Sequence, residues 1–167
     1  MLPEIKTILY CTSLGPHAPY VFGYAYTLAR SLGANIVALH VMESLTPKQA
    51  RLVEGYAGTG RLGELMKNAQ KRARKSLPGH MKGVLSAVSG VGEWDQLVSE
   101  VIITEGHPVA RILEIVEAKN ADLVVIGAHT ESSVLDRMIG STARSLVKSC
   151  PVPVLTVQVP SGFSETS

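Results

Sequence analysis

The stretch Val125–Ser145, VIGAHTESSVLDRMIGSTARS, joins the end of an apolar run to the start of a helical pattern. The apolar run Asp122–Gly127 is typical of a parallel strand that is buried on both faces. A polar loop follows over residues 128–139, and Gly140–Thr142 then opens the helix. We expect Ser141 to cap this helix, with free backbone N–H groups and the positive end of the helix dipole directed outward. Because glycines allow close approach to the backbone, the stretch predicts an anion site that suits phosphate.

Short apolar runs alternate with helical patterns along the rest of the chain. The predicted strands are Ile5–Thr12, Asn35–Met42, Glu100–Thr104, Asp122–Gly127 and Val152–Val159. The helices predicted between them include residues 17–32, 108–119 and 141–149. This alternation favours parallel strands joined by crossover helices, with helices on both faces of the sheet. The sequence therefore predicts an α/β fold with a doubly wound, five-stranded parallel sheet.

Residues 44–98 show the weakest pattern of the chain. Pro47 opens a helical region, but several glycines interrupt it, and we expect a loop over residues 55–63. A helix is predicted from about Leu62 to Ser76, and a short separate helix over His80–Val88. The shape of this segment is the least determined part of the sequence-based interpretation.

A basic cluster lies within residues 67–75. Its members are Lys67, Lys71, Arg72, Arg74 and Lys75. Such a face can contact nucleic acid or an anionic membrane. The formal net charge of the chain is only +2, so we interpret the cluster as a solvated face and expect no nucleic-acid partner. The apolar runs are far shorter than the roughly 20 residues of a membrane-spanning helix, so no membrane partner is expected either.

Length and composition fit one globular domain of ordinary size. Of the 167 residues, 46% are hydrophobic and 18% are charged, which is enough apolar surface for a sizeable core. We assign residues 1–160 to that domain and expect residues 161–167 to form a frayed tail. The N-terminus lacks a basic region followed by an apolar one, so we expect a cytoplasmic location. The two cysteines, Cys11 and Cys150, make neither a disulfide framework nor a metal site.

The order of strand, G-x2-G-x9-G-[ST] and helix resembles the nucleotide-binding signature of the universal stress protein family. Further segments that resemble the family are ILYCTSLG, ALHVME, EGHPVARIL, NADLVVIGAH and KSCPVPVLTVQ. The resemblance covers nearly the whole chain except residues 44–98. It implies an adenine nucleotide alpha hydrolase-like sheet of order 3-2-1-4-5. In such a sheet the ligand site lies at the topological switch point, beyond the carboxyl ends of strands 1 and 4.

Three positions depart from the family pattern. Thr130 stands where the signature has its second glycine, and Ser13 stands where nucleotide-binding members usually carry an aspartate. Cys11 stands where a proline is common. A serine can pair with a ribose hydroxyl but offers no charge-assisted hydrogen bond. A β-branched threonine resists the left-handed backbone that a glycine would allow.

The resemblance implies an adenine nucleotide, ATP or AMP, as the ligand, with Mg2+ only together with ATP. Gly127, Gly140 and Ser141 would hold phosphates, Ser13 would face the ribose, and Val41 would offer backbone groups to the adenine. The candidate binding residues are Thr12, Ser13, Val41, Gly127, His129, Thr130, Gly140, Ser141 and Thr142.

The last strand is short, apolar and terminal, and an exposed edge of this kind is a liability unless it is paired. The family resemblance implies a two-fold homodimer through this strand. The residues at its centre would be Val154, Leu155, Thr156 and Val157.

Two alternatives to nucleotide binding remain open. One is a nucleotide-free universal stress protein that acts as a protein-interaction module through its dimer surface and residues 44–98, and Ser13 and Thr130 favour it. The other is weak ATP hydrolysis. No catalytic residue is assigned, because the serines lack a His-acid relay and no Cys-His pair is evident.

Overall fold

Five parallel strands form one sheet in the computed structural model, which describes residues 1–44, 46–57, 61–89, 96–128 and 139–160. The strands are β1 (Thr7–Cys11), β2 (Asn35–Met42), β3 (Val98–Glu105), β4 (Leu123–Gly127) and β5 (Val154–Val157). Their spatial order is β3-β2-β1-β4-β5, and every neighbouring pair is parallel. The predicted doubly wound fold and its strand order are therefore confirmed.

The described residues form five helices between the strands. They are α1 (Ala18–Leu32), α2 (Pro47–Ala57), α3 (Arg61–Ser89), α4 (Pro108–Ala118) and α5 (Ser141–Ser149). Gly33 ends α1 with a left-handed φ of 66°, which a glycine adopts without steric cost. Among the described residues, no helix is both long enough and apolar enough to cross a membrane.

Each face of the sheet carries its own hydrophobic core. On one face, Tyr10 and Ile36 pack with residues of α1 and α3, among them Phe22 and Leu85. On the other face, the alternate strand residues pack with α4 and α5. The members of that second core include Leu9, Val124, Ile126, Ile112, Val116, Ala143 and Leu146. Because β1 leads into α1 and β4 leads towards α5, the connections after these two adjacent strands lie on opposite faces. This arrangement places the topological switch point between β1 and β4.

The structure corrects the prediction for residues 55–89. Helix α2 continues to Ala57, and α3 is one helix of 29 residues that contains Pro78, not two helices separated near that residue. A proline removes one helical hydrogen bond and normally favours a break. Here Met81 and Leu85 are fully buried in the core, and this burial holds the helix beyond the proline. The predicted loop lies in part outside the described residues, at 58–60.

Strand β5 is shorter than predicted. Pro151 and Pro153 precede it, and the carbonyl oxygen of Pro153 already accepts a hydrogen bond from the N–H of Val124 at 3.0 Å. The tail expected at 161–167 lies outside the described residues.

Candidate functional site

A cleft of about 140 Å³ opens at the carboxyl ends of β1, β2 and β4. Six of the nine predicted binding residues line it, namely Thr12, Ser13, Val41, Gly127, Gly140 and Thr142. Ser141 is exposed and does not line the cleft. His129 and Thr130 lie outside the described residues. The cleft sits at the switch point between β1 and β4, where ligands bind in open α/β sheets.

Apolar side chains, most of them from the second core, form the walls of this cleft. They are Leu39 and Val41 from β2, Pro108 and Ile112 from α4, Ile126 from β4 and Ala143 from α5. Pro108 and Ile112 are four residues apart, so they share one face of α4. Sequence reasoning missed this wall, although the helical spacing of the two residues would have indicated that they lie together. An apolar slot with a few polar groups is typical of a small-molecule site.

The start of α5 supplies backbone donors that have no partner among the described residues. Gly140 is the N-cap residue, its own N–H donates to the carbonyl oxygen of Ala128 at 2.6 Å, and its carbonyl oxygen accepts from the N–H of Arg144 at 2.9 Å. The first three helical amides, of Ser141, Thr142 and Ala143, have no acceptor within the helix. Within the part of the chain that the structure describes, no side chain caps them, and Thr142 and Ala143 line the cleft. The expectation that Ser141 caps the helix is wrong, because Ser141 is the first helical residue and a glycine holds the cap position.

The conformation of Gly140 does not itself require a glycine. Its φ is −57° and its ψ is 155°, a region open to residues with side chains. What glycine contributes at this position is the absence of a Cβ atom at the wall of the cleft. A glycine at this position therefore leaves room at the wall of the cleft, and backbone freedom is not what it adds.

Thr12 lines the cleft but has partners within the protein for each of its polar groups. Its N–H donates to the carbonyl oxygen of Leu39 at 3.0 Å, and its Oγ1 accepts from the N–H of Leu14 at 2.9 Å. Its carbonyl oxygen lies 2.8 Å from Nδ1 of His40. Thr12 therefore fixes the turn after β1 more than it offers groups to a ligand.

Val41 is the residue of β2 whose backbone faces the cleft. The Leu39 carbonyl pairs with Thr12, so Leu39 directs its backbone groups towards β1, and Val41, two residues on, faces the same side. The next rung of a parallel ladder would join the Val41 N–H to the Thr12 carbonyl. No such bond is present among the described residues, and the ring of His40 contacts that carbonyl instead. The N–H and C=O of Val41 are thus directed at the site without a partner from β1.

The turn after β1 places Ser13 at the mouth of the cleft. Ser13 is exposed, and the next residue, Leu14, has a φ of 60°, a left-handed conformation that is uncommon for a bulky residue. The Leu14 N–H bonded to Thr12 Oγ1 supports this conformation. Strained backbone of this kind is concentrated at functional sites.

Two groups with titratable protons line the cleft among the described residues. Glu43 follows β2 directly and is exposed, and sequence reasoning did not identify it, although its place just beyond a strand was a sufficient signal. Burial raises the pKa of the Cys11 thiol above its usual range, with a smaller contribution from Cys150, so Cys11 stays neutral. Glu43 is the one acidic side chain among the described residues that line this cleft.

A larger groove, of about 750 Å³, lies on the opposite face between α1 and α3. Its lining is Leu14, Gly15, Pro16, Pro19, Tyr20, His80, Gly83, Val84, Ala87 and Val88. We place the candidate site in the smaller cleft because the free amides of α5 and the backbone of Val41 converge there. Volume alone does not identify a ligand site when the polar groups lie elsewhere.

The fold and the cleft together define a class of protein, namely a doubly wound α/β domain whose cleft lies at the topological switch point, beside the start of α5. The sequence profile of the universal stress protein family matches residues 4–158. The chain therefore belongs to the universal stress protein family.

Relatives of similar length support this membership. A universal stress protein of Thermus aquaticus, encoded in the QAH/OAS sulfhydrylase 3' region, is 28% identical over 153 residues, covering 92% of this chain and 98% of the relative. The universal stress protein MJ0577 of Methanocaldococcus jannaschii is 21% identical over 153 residues, covering 92% of this chain and 94% of the relative.

Solved structures show the same fold. The structure of MJ0577 aligns with a TM-score of 0.67 at 21% identity, covering 95% of this chain and 99% of that one. The universal stress protein UspA of Lactobacillus plantarum aligns with a TM-score of 0.64 at 21% identity, covering 93% and 99%. A universal stress protein solved in complex with cAMP aligns with a TM-score of 0.51 at 15% identity, covering 95% and 100%.

Proposed function

We propose that this chain is a stress-response module of the cytoplasm that binds an adenine nucleotide, ATP or AMP, in the cleft between β1 and β4. The observation that carries the proposal is that two sets of backbone groups, neither of which has a partner among the described residues, face one apolar slot. The peptide groups of Val41 lie on one side, and the amides of Thr142 and Ala143 lie on the other.

The order of the strands suggests how a nucleotide would lie. Strand β2 adjoins β1, and β1 adjoins β4. An adenine ring would pack between Val41 and Ile112 and pair with the backbone of Val41. The ribose would lie over the end of β1 beside Ser13. The phosphates would meet Gly127 and the start of α5, where the helix dipole and free amides favour negative charge.

The relatives supply supporting context. A universal stress protein of the same fold has been solved with cAMP, which is an adenine nucleotide. The cleft bounded by the described residues is smaller than the roughly 300–1,000 Å³ of a site that encloses a drug-sized ligand. We infer that these residues hold part of the nucleotide only. Mg2+ would arrive with the phosphates of ATP, as it commonly does at sites of this kind.

We also propose a two-fold homodimer through β5. This strand is the terminal strand of the sheet and pairs with β4 alone among the described strands. The Pro153 carbonyl accepts from the N–H of Val124 in β4, and the Val157 carbonyl accepts from the N–H of Ala128, just after β4. The alternate residues Val154 and Thr156 therefore direct their backbone groups away from β4. A second copy related by a two-fold axis would pair with that open edge.

Titration calorimetry with ATP and with AMP, in the presence of Mg2+, tests the proposal. We expect binding in the micromolar range with one nucleotide per chain. Absence of binding up to millimolar nucleotide, by a protein that remains folded, would overturn it.

The second candidate is a nucleotide-free protein-interaction module of the same family. The observation in its favour is that Ser13 offers no carboxylate to a ribose and that the engaged groups of Thr12 do not replace one. Failure of both nucleotides to bind, together with an intact dimer, would support this candidate. Weak ATP hydrolysis is tested separately, by phosphate release compared with a cleft variant.

A further inference from the structure

The charges of the chain are strongly segregated. Helix α3 contains seven of the 16 Lys and Arg residues but only one of the 14 Asp and Glu residues. Its formal net charge is therefore +6, and the rest of the chain carries −4, although the whole chain carries only +2. The small net charge of the whole chain is therefore the sum of a strongly basic helix and an acidic remainder.

The basic side chains of α3 that the structure describes all face solvent. Lys71, Arg72, Lys75 and Lys82 are exposed, and none of them forms an ion pair with another described residue. Lys71 and Lys75 are four residues apart, so they lie one above the other on the same side of the helix. Like charges at this spacing destabilise a helix. A polyanion bound along this face would remove that repulsion.

The buried apolar residues that the structure describes on α3 are used for packing. Met81, Val84 and Leu85 are buried in the core, and α2 packs against α3. A helix that binds in the plane of a membrane needs a free apolar face beside its basic face. The apolar side chains of α3 that the structure shows as buried are Met81, Val84 and Leu85, and they are used in the core. An electrostatic partner is therefore favoured over a lipid surface.

We propose that the exposed basic face of α3, defined by Lys71, Arg72 and Lys75, binds the phosphate backbone of duplex DNA without sequence specificity. The helix of 29 residues is about 44 Å long. Lys71 and Lys75 are separated by about 6 Å along the helix axis. That separation is close to two phosphate steps of one strand, about 6.8 Å. The acidic remainder of the chain would be repelled, which restricts the contact to α3.

This proposal is independent of nucleotide binding. The basic face lies on α3, whereas the cleft is lined by residues of β1, β2, β4, α4 and α5 and of the turns that follow the strands. A protein that fails to bind ATP would still bind DNA, and the reverse also holds.

Fluorescence anisotropy of a labelled 20-base-pair duplex, measured over a series of salt concentrations from about 50 mM, tests the proposal. The test variant is Lys71→Gln with Lys75→Gln. The matched control is Arg30→Gln with Lys148→Gln, which removes two exposed positive charges outside α3. All four positions are exposed, and circular dichroism checks that each variant remains folded.

We expect the wild-type protein to bind duplexes of unrelated sequence equally, with log K falling linearly as log salt rises. The test variant should weaken binding for every sequence and reduce the magnitude of the salt slope by about 2, one for each lysine. The control should leave the slope unchanged. Equal losses from both variants, or no binding near 50 mM salt, would refute the proposal. Binding to phosphatidylserine vesicles but not to the duplex, at matched phosphate, would assign the face to lipid and refute it too.

Discussion

Nδ1 of His40 lies 2.8 Å from the carbonyl oxygen of Thr12. Because a carbonyl oxygen can only accept, Nδ1 carries the proton of this hydrogen bond. The bond takes the place of the next rung of the β1–β2 ladder, in which the N–H of Val41 would have donated to the same oxygen. A side chain on the α1 side of the sheet thus leaves backbone groups of β2 available on the cleft side.

Replacement of His40 tests this relationship. In His40→Leu the Thr12 carbonyl loses its partner and can pair with the Val41 N–H, which closes that side of the cleft. We expect nucleotide affinity to fall about tenfold, which corresponds to about 1.4 kcal/mol, and stability to fall by about 1 kcal/mol. His40→Asn keeps a donor near the position of Nδ1 and is expected to retain more of the affinity. Calorimetry and urea unfolding measure the two quantities, and equal affinities for both variants would disprove the role of the bond.

Two substitutions at Gly140 distinguish the effect of a negative charge on ATP affinity from the effect of side-chain size. Gly140→Asp and Gly140→Asn have side chains of nearly the same size, and both are good N-cap residues at a φ that accepts them. We expect both variants to be at least as stable as the wild type. The aspartate should lower ATP affinity further than the asparagine, by about tenfold or more, because it repels the phosphates. Thermal unfolding with calorimetry checks this, and an identical loss in both would mean that no phosphate lies at α5.

Ser13 stands where nucleotide-binding relatives are expected to carry an aspartate. Since Ser13 is exposed at the mouth of the cleft, Ser13→Asp should fold normally and offer a charged acceptor to the ribose hydroxyls. We expect ATP to bind about five- to tenfold more tightly, in line with the ~1 kcal/mol of a typical net hydrogen bond. Ser13→Asn serves as the uncharged control. Should the gain persist with 2'-deoxy-ATP and 3'-deoxy-ATP, the ribose would not be the group that residue 13 contacts.

The dimer interface can be tested at Thr156. Its backbone N–H points away from β4, so Thr156→Pro removes a donor at the outer edge and leaves the β4–β5 ladder intact. We expect a folded monomer by light scattering. Leu155→Pro is the contrasting variant, because the backbone N–H of Leu155 points towards β4. This variant should lose several kcal/mol of stability, since the proline removes a hydrogen bond between β4 and β5. A Thr156→Pro protein that remains fully dimeric would place the interface elsewhere.

Burial raises the pKa of the Cys11 thiol, and this predicts a loss of stability at alkaline pH. Above about pH 8.5 the thiol of the unfolded chain releases its proton, whereas the folded chain retains it. The unfolded state is then favoured, and the free energy of unfolding should fall by up to about 1.4 kcal/mol per pH unit between pH 9 and 10. Cys11→Ala should lack the part of this decline that falls below about pH 9, and Cys150→Ala should keep it. Nearer pH 10 the hydroxyl of Tyr10, whose pKa burial also raises, adds a decline in every variant. Urea unfolding at pH 7 to 10 measures the slope, and an unchanged slope in Cys11→Ala would contradict the assignment.

Sequence patterns predicted the first and last residues correctly for elements in which the local sequence preference agrees with the tertiary packing. Strand β2 is Asn35–Met42 as predicted, because an apolar run follows the helix-ending Gly33. Helix α5 is likewise Ser141–Ser149 as predicted. Helix α3 was predicted in two parts because Pro78 and Gly79 are poor helix formers. Burial of residues on the far side of the proline outweighs that local preference, and burial is not visible in a local pattern.

The site was predicted in part for a similar reason. Six of the nine candidate residues line one cleft because the ends of neighbouring parallel strands meet at one edge of the sheet. The carbonyl of Thr12 is occupied, and the N–H of Val41 is left without a partner from β1, because the His40 ring replaces the hydrogen bond that would join these two groups. A sequence pattern does not contain that information, since it follows from side-chain orientation in the assembled sheet. Glu43, by contrast, could have been found from its place just after β2.

The central claim is that an adenine nucleotide lies between the backbone of Val41 and the start of α5. The most direct test is the two-dimensional 15N–1H NMR spectrum of the labelled protein during titration with ATP and Mg2+. We predict saturable shifts of the amide signals of Val41, Thr142 and Ala143, with little change at Val84 and Val88 in the larger groove. Shifts confined to the larger groove, or no saturable shift at all, would contradict the account.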